Sequence, residues 1–409
     1  MTLLSRVTIY PMVNKKLQVG VVFGTRPEAI KLAPVIAELK QHSNEFKPYL
    51  ISTAQHRSML DQVMQVFRIS PDVDLDLMQP SQTLNSLTCR VLRAMDSVLE
   101  ANPLDCVIVQ GDTTTAMAAA LAAFYRKIPV AHVEAGLRSR DMMNPFPEES
   151  NRRLASVVTS LHFAPTSIAR DNLLAEGVAP STTVTTGNTV VDAVKMLVDM
   201  KMVDQKLPAD VPDDGSRLLL ITSHRRESWG MELGNICDAI RELITEFPDV
   251  RAVYPVHLNP NVRSTVMTRL ENLDRVHLIE PLDYFGFLST LRRCYMVLTD
   301  SGGVQEEAPT FGKPVLVLRK VTERPEASLM GLARLVGTSR EAIVKEASDI
   351  LGSSVVYRTM SEGQNPYGDG RASQRIVQSL ARWLKGVTPV LDASEQFESG
   401  IREQITTVA

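Results

Sequence analysis

Met296-Val297-Leu298-Thr299-Asp300-Ser301-Gly302-Gly303-Val304-Gln305-Glu306-Glu307 reads as a buried strand, a turn of small residues and the opening of a helix that runs on to Phe311. Adjacent glycines let a backbone come close to a phosphate, and the first free amides of the helix would aim the positive end of its dipole there. Either glutamate suits ribose hydroxyls, as acidic residues do in other nucleotide sites. A tight turn without ligand, its glutamates matched to the helix dipole, accounts for the same residues. The order strand, turn, helix decides the fold, because it recurs on both sides.

Around this stretch, strands are expected at Arg217 to Thr222, Ala252 to Pro255, Val276 to Ile279 and Pro314 to Arg319, with helical segments between them. Upstream, Leu17 to Phe23, Tyr49 to Thr53, Asp105 to Val109, Pro129 to Val133 and Val184 to Thr186 repeat the alternation, and Thr189 to Met202 reads as a helix. Such a pattern is that of parallel sheets covered by helices on both faces, so the fold class is α/β with doubly wound, Rossmann-like domains. At roughly 150 residues per domain, 409 residues predict two domains. The first closes near Gly187 and the second spans 188–370. Val203 to Ser216, with Pro208, Pro212 and Gly215, reads as a linker or long surface loop. Arg371 to Leu384 reads as an amphipathic helix, and Thr388 to Ala409 as a polar tail.

Apolar residues make up 44% and charged residues 22%, close to globular averages, which argues against disorder and fibrous architecture. The net charge of -3, spread over both halves, argues against a nucleic-acid binder that must neutralise many phosphates. Cys89, Cys106, Cys237 and Cys294 lie far apart, so neither a disulfide framework nor a metal site is expected. Met1 to Lys16 lack a signal peptide's apolar stretch, and no run of about 18 apolar residues marks a membrane span. The expected location is the cytoplasm.

Ligands of open α/β sheets bind beyond the carboxyl ends of the strands, so the residues just after strands matter most. Gly24-Thr25-Arg26-Pro27-Glu28 opens a helix there, with Thr25 and Glu28 at capping-box spacing. Arg26 has no such local reason; its fork suits a diphosphate, and plain solvation is the alternative. Lys31, on the same helix, faces either the cleft or solvent. Asp112 and Glu134 each follow an apolar strand, so two carboxylates meet at one sheet edge. Glu148 and Glu149 sit beside Pro145 and Pro147, and His224 follows the strand ending at Thr222. Groups like these act as general acids and bases when burial or neighbours move their pKa values. Singly, each reads as a helix cap or ion-pair partner. No GxGxxG follows a strand, so a bound NAD is not expected, and the P-loop and GxSxG patterns are missing as well.

Taken together, Val22 to Ala29, Gly111 to Thr115, His132 to Ser139, Pro147 to Glu149, His224 to Ser228, Pro255 to Pro260, Asp300 to Pro309 and Thr322 to Ala327 resemble the non-hydrolysing UDP-N-acetylglucosamine 2-epimerases of bacteria. The resemblance covers Leu17 to about Leu384. It implies a GT-B fold, with residues 1–187 and 188–370 as two Rossmann-like domains, and a C-terminal segment, about 371–409, packing back on the first. It implies a homodimer, no cofactor, and interconversion of UDP-GlcNAc and UDP-ManNAc by elimination of UDP to 2-acetamidoglucal and re-addition. Asp112, Glu134, Glu148 and His224 match the family's catalytic positions. Arg26, Lys31, Ser301, Gly302, Gly303, Glu307 and Arg324 match substrate-binding ones. Gln55, His56, Arg225 and His257 match positions that bind a second UDP-GlcNAc as activator. Gln110 stands where many relatives have His, Ser223 where many have Gly, and Phe146 where some have Trp. The rival readings are an epimerase of a modified sugar such as a UDP-2,3-diacetamido-glucuronic acid, a glycosyltransferase on the same fold, and a nucleotide-sugar sensor with a dead site.

Overall fold

The computed structural model describes residues 16–54, 57–79, 82–203, 207–223 and 229–400. Along the first lobe the chain runs β1 (Leu17–Phe23), α1 (Arg26–Gln41), β2 (Phe46–Ser52), α2 (Arg57–Val66), β3 (Val73–Asp74), α3 (Leu84–Ala101), β4 (Cys106–Gln110), α4 (Thr114–Tyr125), β5 (Val130–Val133), α5 (Glu148–Val158), β6 (Leu161–Ala164), α6 (Ser167–Ala175) and β7 (Thr183–Thr185), and α7 (Thr189–Asp199) leads on to the second. The second continues through β8 (Arg217–Thr222), α8 (Met231–Glu246), β9 (Val250–Pro255), α9 (Pro260–Leu270), β10 (Val276–Ile279), α10 (Tyr284–Arg293), β11 (Met296–Thr299), α11 (Gly302–Glu307), β12 (Val315–Val317), α12 (Glu326–Leu329), β13 (Ala333–Leu335), α13 (Arg340–Gly352) and α14 (Ser354–Ser361). A last helix, α15 (Ala372–Leu384), follows.

Both sheets are parallel, in the orders β3-β2-β1-β4-β5-β6-β7 and β10-β9-β8-β11-β12-β13. The α/β reading with two doubly wound sheets therefore holds. In each sheet the winding reverses once, between β1 and β4 and between β8 and β11, and a reversal leaves a crevice at the strands' carboxyl ends. Strand β1 is fixed there by pairing Val19 with Cys106 and Val21 with Ile108. Its Val21, Val22 and Phe23 are fully buried, as a strand covered on both faces requires. Helix α4 carries Ala116, Ala118, Ala119, Ala120, Ala122 and Ala123 on its buried surface, and these small side chains let α3 and α5 pack closely on either side.

A continuous apolar cluster runs from Val19 and Leu39 in the first lobe, through Val190 and Leu197 on α7, to Leu220 and Val297 in the second. Helix α15 joins the same cluster through Ile376, Val377 and Leu380, and packs on α1 and α7. Arg371 offers α15 no side-chain cap. Asp192 of α7 serves instead, accepting from the Ala372 and Ser373 amides at 3.2 and 2.8 Å and from the Ser373 hydroxyl at 2.8 Å. Nearby, the Asn188 amide donates to the Tyr367 carbonyl at 2.6 Å, so the two strands of chain between the lobes run side by side. Gly187 sits at this crossing with φ of 86°, where a Cβ would lie 3.4 Å from the Gly368 Cα. Among the described residues no helix is long and apolar enough to cross a membrane.

Candidate active site

Both crevices open onto one cavity of about 630 Å³ between the lobes. Arg26, Lys31, Gln110, Asp112 and Glu134 line it from the first lobe, and His257, Tyr284, Ser301, Gly303, Glu307 and Arg324 from the second.

On the first side, Thr25 caps α1 and Glu28 completes the capping box. Glu28 does more than cap. Its buried carboxylate accepts from the Gly24 and Thr25 amides at 2.9 and 2.7 Å and from the Thr113 hydroxyl, tying the turn after β1 to the turn after β4. Burial pushes its pKa up, against the pull of those donors. Arg26 reaches Met59, its Nη1 lying 3.8 Å from the thioether sulfur.

Asp112, after β4, keeps a quarter of its side chain exposed and pairs with Arg152 of α5, whose Nε donates at 3.1 Å. Arg152 also holds the fully buried Glu149 at 3.2 Å, and Glu149 accepts from the Ser139 amide at 3.0 Å. Glu134, directly after β5, is left-handed at φ of 64°, a conformation that costs a glutamate backbone strain. Its carboxylate takes two hydrogen bonds from the Lys31 ammonium, at 2.8 and 2.7 Å, and one from the Gln110 amide. Burial pushes the pKa of Glu134 up, and Lys31 pulls it partly back.

Opposite, α11 starts at Gly302, and Ser301 at its N-cap makes no side-chain cap. The glycine pair divides its work. Ser301 and Gly303 line the cavity, and a Cβ on Gly303 would meet nothing nearer than Ser301 Oγ at 4.0 Å. A Cβ on Gly302 would lie 2.6 Å from an Arg324 nitrogen, so this glycine makes room for the guanidinium. Glu307 accepts the Tyr284 hydroxyl at 2.9 Å, and burial raises its pKa to about 7. Arg324 donates through Nε to Glu306 at 2.6 Å, and the Lys31 ammonium meets that same carboxylate at 3.0 Å.

Not all expected residues gather here. Glu148 is half-buried at the start of α5 and is not among the residues lining the cavity, nor is Gly302. His257 is exposed at the mouth, its Nδ1 accepting the Asn259 amide at 3.1 Å. Gln55, His56, His224 and Arg225 lie outside the described residues. Conversely, Gln110, Tyr284 and Arg152 carry no site role in the sequence reading, and Glu306 enters it only as an alternative to Glu307 for the ribose. A signal existed for Glu306 in the doubled glutamate after the glycines, and for Gln110 in its place at the end of an apolar strand.

The family described as UDP-N-acetylglucosamine 2-epimerase matches residues 37–381. The UDP-N-acetylglucosamine 2-epimerase of Escherichia coli K12 is 48% identical over 370 residues, covering 89% of this chain and 98% of that protein. A solved UDP-GlcNAc 2-epimerase from Neisseria meningitidis, bound to UDP-GlcNAc, superposes with a TM-score of 0.83 at 46% identity over 90% of this chain and 100% of its own. Its counterpart from Methanocaldococcus jannaschii, in complex with UDP-GlcNAc and UDP, gives a TM-score of 0.75 at 35% identity over 89% of this chain and 99% of its own.

Proposed function

This chain belongs to the UDP-N-acetylglucosamine 2-epimerase family of isomerases, and from that premise we propose that it interconverts UDP-GlcNAc and UDP-ManNAc by a non-hydrolysing elimination and re-addition. A carboxylate takes the C2 proton, the C2–H electrons become the C1–C2 double bond of 2-acetamidoglucal, and the C1–O pair leaves with UDP. In the return step the UDP oxygen attacks C1 while a proton reaches the opposite face of C2. Because C2 is not next to a carbonyl, loss of its proton alone would have a high barrier; departure of the diphosphate supplies the electron sink.

The observation that carries this reading is the opposition of two walls across one cavity. One wall holds Asp112 and the buried Glu134; the other holds Ser301, Gly303 and Arg324. On this reading Asp112, Glu134, Glu148 and His224 serve the proton transfers. Ser301, Gly302 and Gly303, with Arg26 and Arg324, hold the diphosphate and stabilise the charge that grows as the C1 bond breaks. Glu307 binds the ribose and Lys31 steadies Glu134. We also propose a homodimer, and a second UDP-GlcNAc as activator beside Gln55, His56, Arg225 and His257; exposure of His257 at the cavity mouth supports the latter. Lobes of residues 1–187 and 188–370, with 371–409 returning to the first, would close over the glucal. A cytoplasmic setting is supported by four cysteines that are all free.

Incubation with UDP-GlcNAc in D2O, followed by proton NMR at C2, tests the scheme. Deuterium should enter C2 as both epimers accumulate; full retention of the C2 proton during epimerisation rules out elimination. A modified sugar remains the second reading, favoured by Gln110 contacting Glu134 where many relatives have His. Assay of both nucleotide sugars separates the two.

A further inference from the structure

Lys31 and Glu306 stand 275 residues apart and belong to different lobes, yet the Lys31 ammonium lies 3.0 Å from the Glu306 carboxylate. The same ammonium holds Glu134 by two bonds, and the other Glu306 oxygen takes the Arg324 Nε at 2.6 Å. Arg324 continues to Glu323 at 2.6 Å, and Glu323 to Arg319 at 3.3 Å. Anions and cations thus alternate through Glu134, Lys31, Glu306, Arg324, Glu323 and Arg319. Glu306 is almost wholly buried, with 1% of its side chain exposed.

The boundary between the lobes cuts this chain of charges at the bond from Lys31 to Glu306; within the network, the other crossing contact among the described residues is the longer Arg324–Glu134 approach of 3.8 Å, and elsewhere the Thr166 hydroxyl donates across the boundary to Glu326 at 2.6 Å. Parting the lobes leaves Lys31 with Glu134 on one side and Glu306 with Arg324 on the other. A buried ion pair is hard to break when it strands a charge. This one strands none, so it can open and shut with the cleft. What does change is the freedom of Lys31. Its ammonium sits on a flexible four-carbon stem, and a single carboxylate partner leaves that stem several rotamers. With Glu306 in place the ammonium is pinned from two directions.

We propose that Glu306 is a positioning residue for the C2 chemistry: meeting Lys31 across the cleft, it fixes the ammonium on Glu134 only while the lobes are shut. Closure and the readiness of Glu134 are then one event, so the carboxylate is set for proton transfer only when the glucal is enclosed. The inference rests on the epimerase reading for its chemistry, but the latch itself is measurable without turnover.

The test uses Glu306→Gln and Glu306→Asp in the full chain. Kinetics of UDP-GlcNAc epimerisation are read together with calorimetric binding of UDP. A donor–acceptor pair on the native, exposed Cys89 of the first lobe and on Glu271→Cys in the second reports the interlobe distance. Glu306→Gln is expected to lower kcat at least about tenfold while UDP affinity stays within about threefold. On adding UDP it should also close less than the parent. Glu306→Asp, which keeps the charge on a shorter arm, should recover part of both effects, and it carries the readouts if the amide variant fails to fold. Weakened UDP binding with kcat unchanged would mean Glu306 serves only Arg324, and would overturn the proposal. So would wild-type kinetics, or closure identical to the parent. If the parent protein does not epimerise UDP-GlcNAc, the functional reading falls, while the distance measurement still decides the latch.

Discussion

The crevice after β4 and β5 and the crevice after β11 occupy the same point of the same winding, yet they are equipped in opposite ways. In the first lobe the turns present Asp112 and a strained, buried Glu134. In the second they present small residues, with Gly302 leaving space for Arg324. Repeating a topology therefore does not repeat a site. On the proposed reading the first lobe supplies the carboxylates beside the sugar and the second most of the grip on the diphosphate, and neither half of that set is sufficient alone.

The largest expected effect comes from erasing the acidic side. Glu134→Gln should lower kcat about a thousandfold, with Asp112→Asn of similar order, while UDP affinity is nearly kept. Deuterium incorporation at C2 checks this, and a large loss of UDP affinity instead would show that the lobes do not divide the work. The next effect is read in stability. Glu307, raised to about 7 by burial, favours the fold below its ordinary value of 4.5, and that contribution is lost as pH rises through about 7. His132 of β5, buried and lowered to about 4, has the opposite sign: its contribution is present above 6.5 and lost as pH falls toward 4. The two lobes thus oppose each other between these limits. Glu307→Gln should gain up to roughly 3 kcal/mol at pH 8 relative to its effect at pH 4, by urea denaturation. The acid-side loss due to His132 should persist.

Gly302→Ala tests the fixed side. Its Cβ would press on Arg324, so UDP binding should weaken about tenfold, at a cost of roughly 1–2 kcal/mol in stability. Thr83→Ala sets the baseline away from both crevices. Thr83 caps α3 by accepting the Ser86 amide at 3.2 Å, and its loss should cost about 1 kcal/mol with turnover unchanged.

Strands β1, β8, β10 and β11 were legible to the residue, because each is a short run dominated by Val, Leu and Ile with a turn behind it. Strand β3 was not, having two residues, nor the short β6, which has one β-rich residue, Phe163, among Leu161, His162 and Ala164, nor the half-exposed edge β13. Gathering of Arg26, Asp112 and Glu134 at one sheet edge was also readable, since each follows a strand. Contacts such as Lys31 with Glu306 were not, because no local pattern records a meeting across hundreds of residues. The same holds for Gly302: its motif pointed to a phosphate and gave no sign that the Arg324 guanidinium packs against its α-carbon. Glu148 was marked by its motif, and it starts α5 without being among the residues that line the cavity.

Asp192 and α15 carry a consequence for the order of events during synthesis. The apolar seam of α1 and α7 is sealed by Ile376, Val377 and Leu380, and the Phe397 amide bonds the Thr185 carbonyl at 2.9 Å, so the earliest-made part of the protein is finished by the last. A ribosome releases these residues only after the whole second lobe has emerged. The lobe translated first must therefore wait with a hydrophobic seam open, and nascent chains stalled before residue 372 should be the ones that chaperones hold longest.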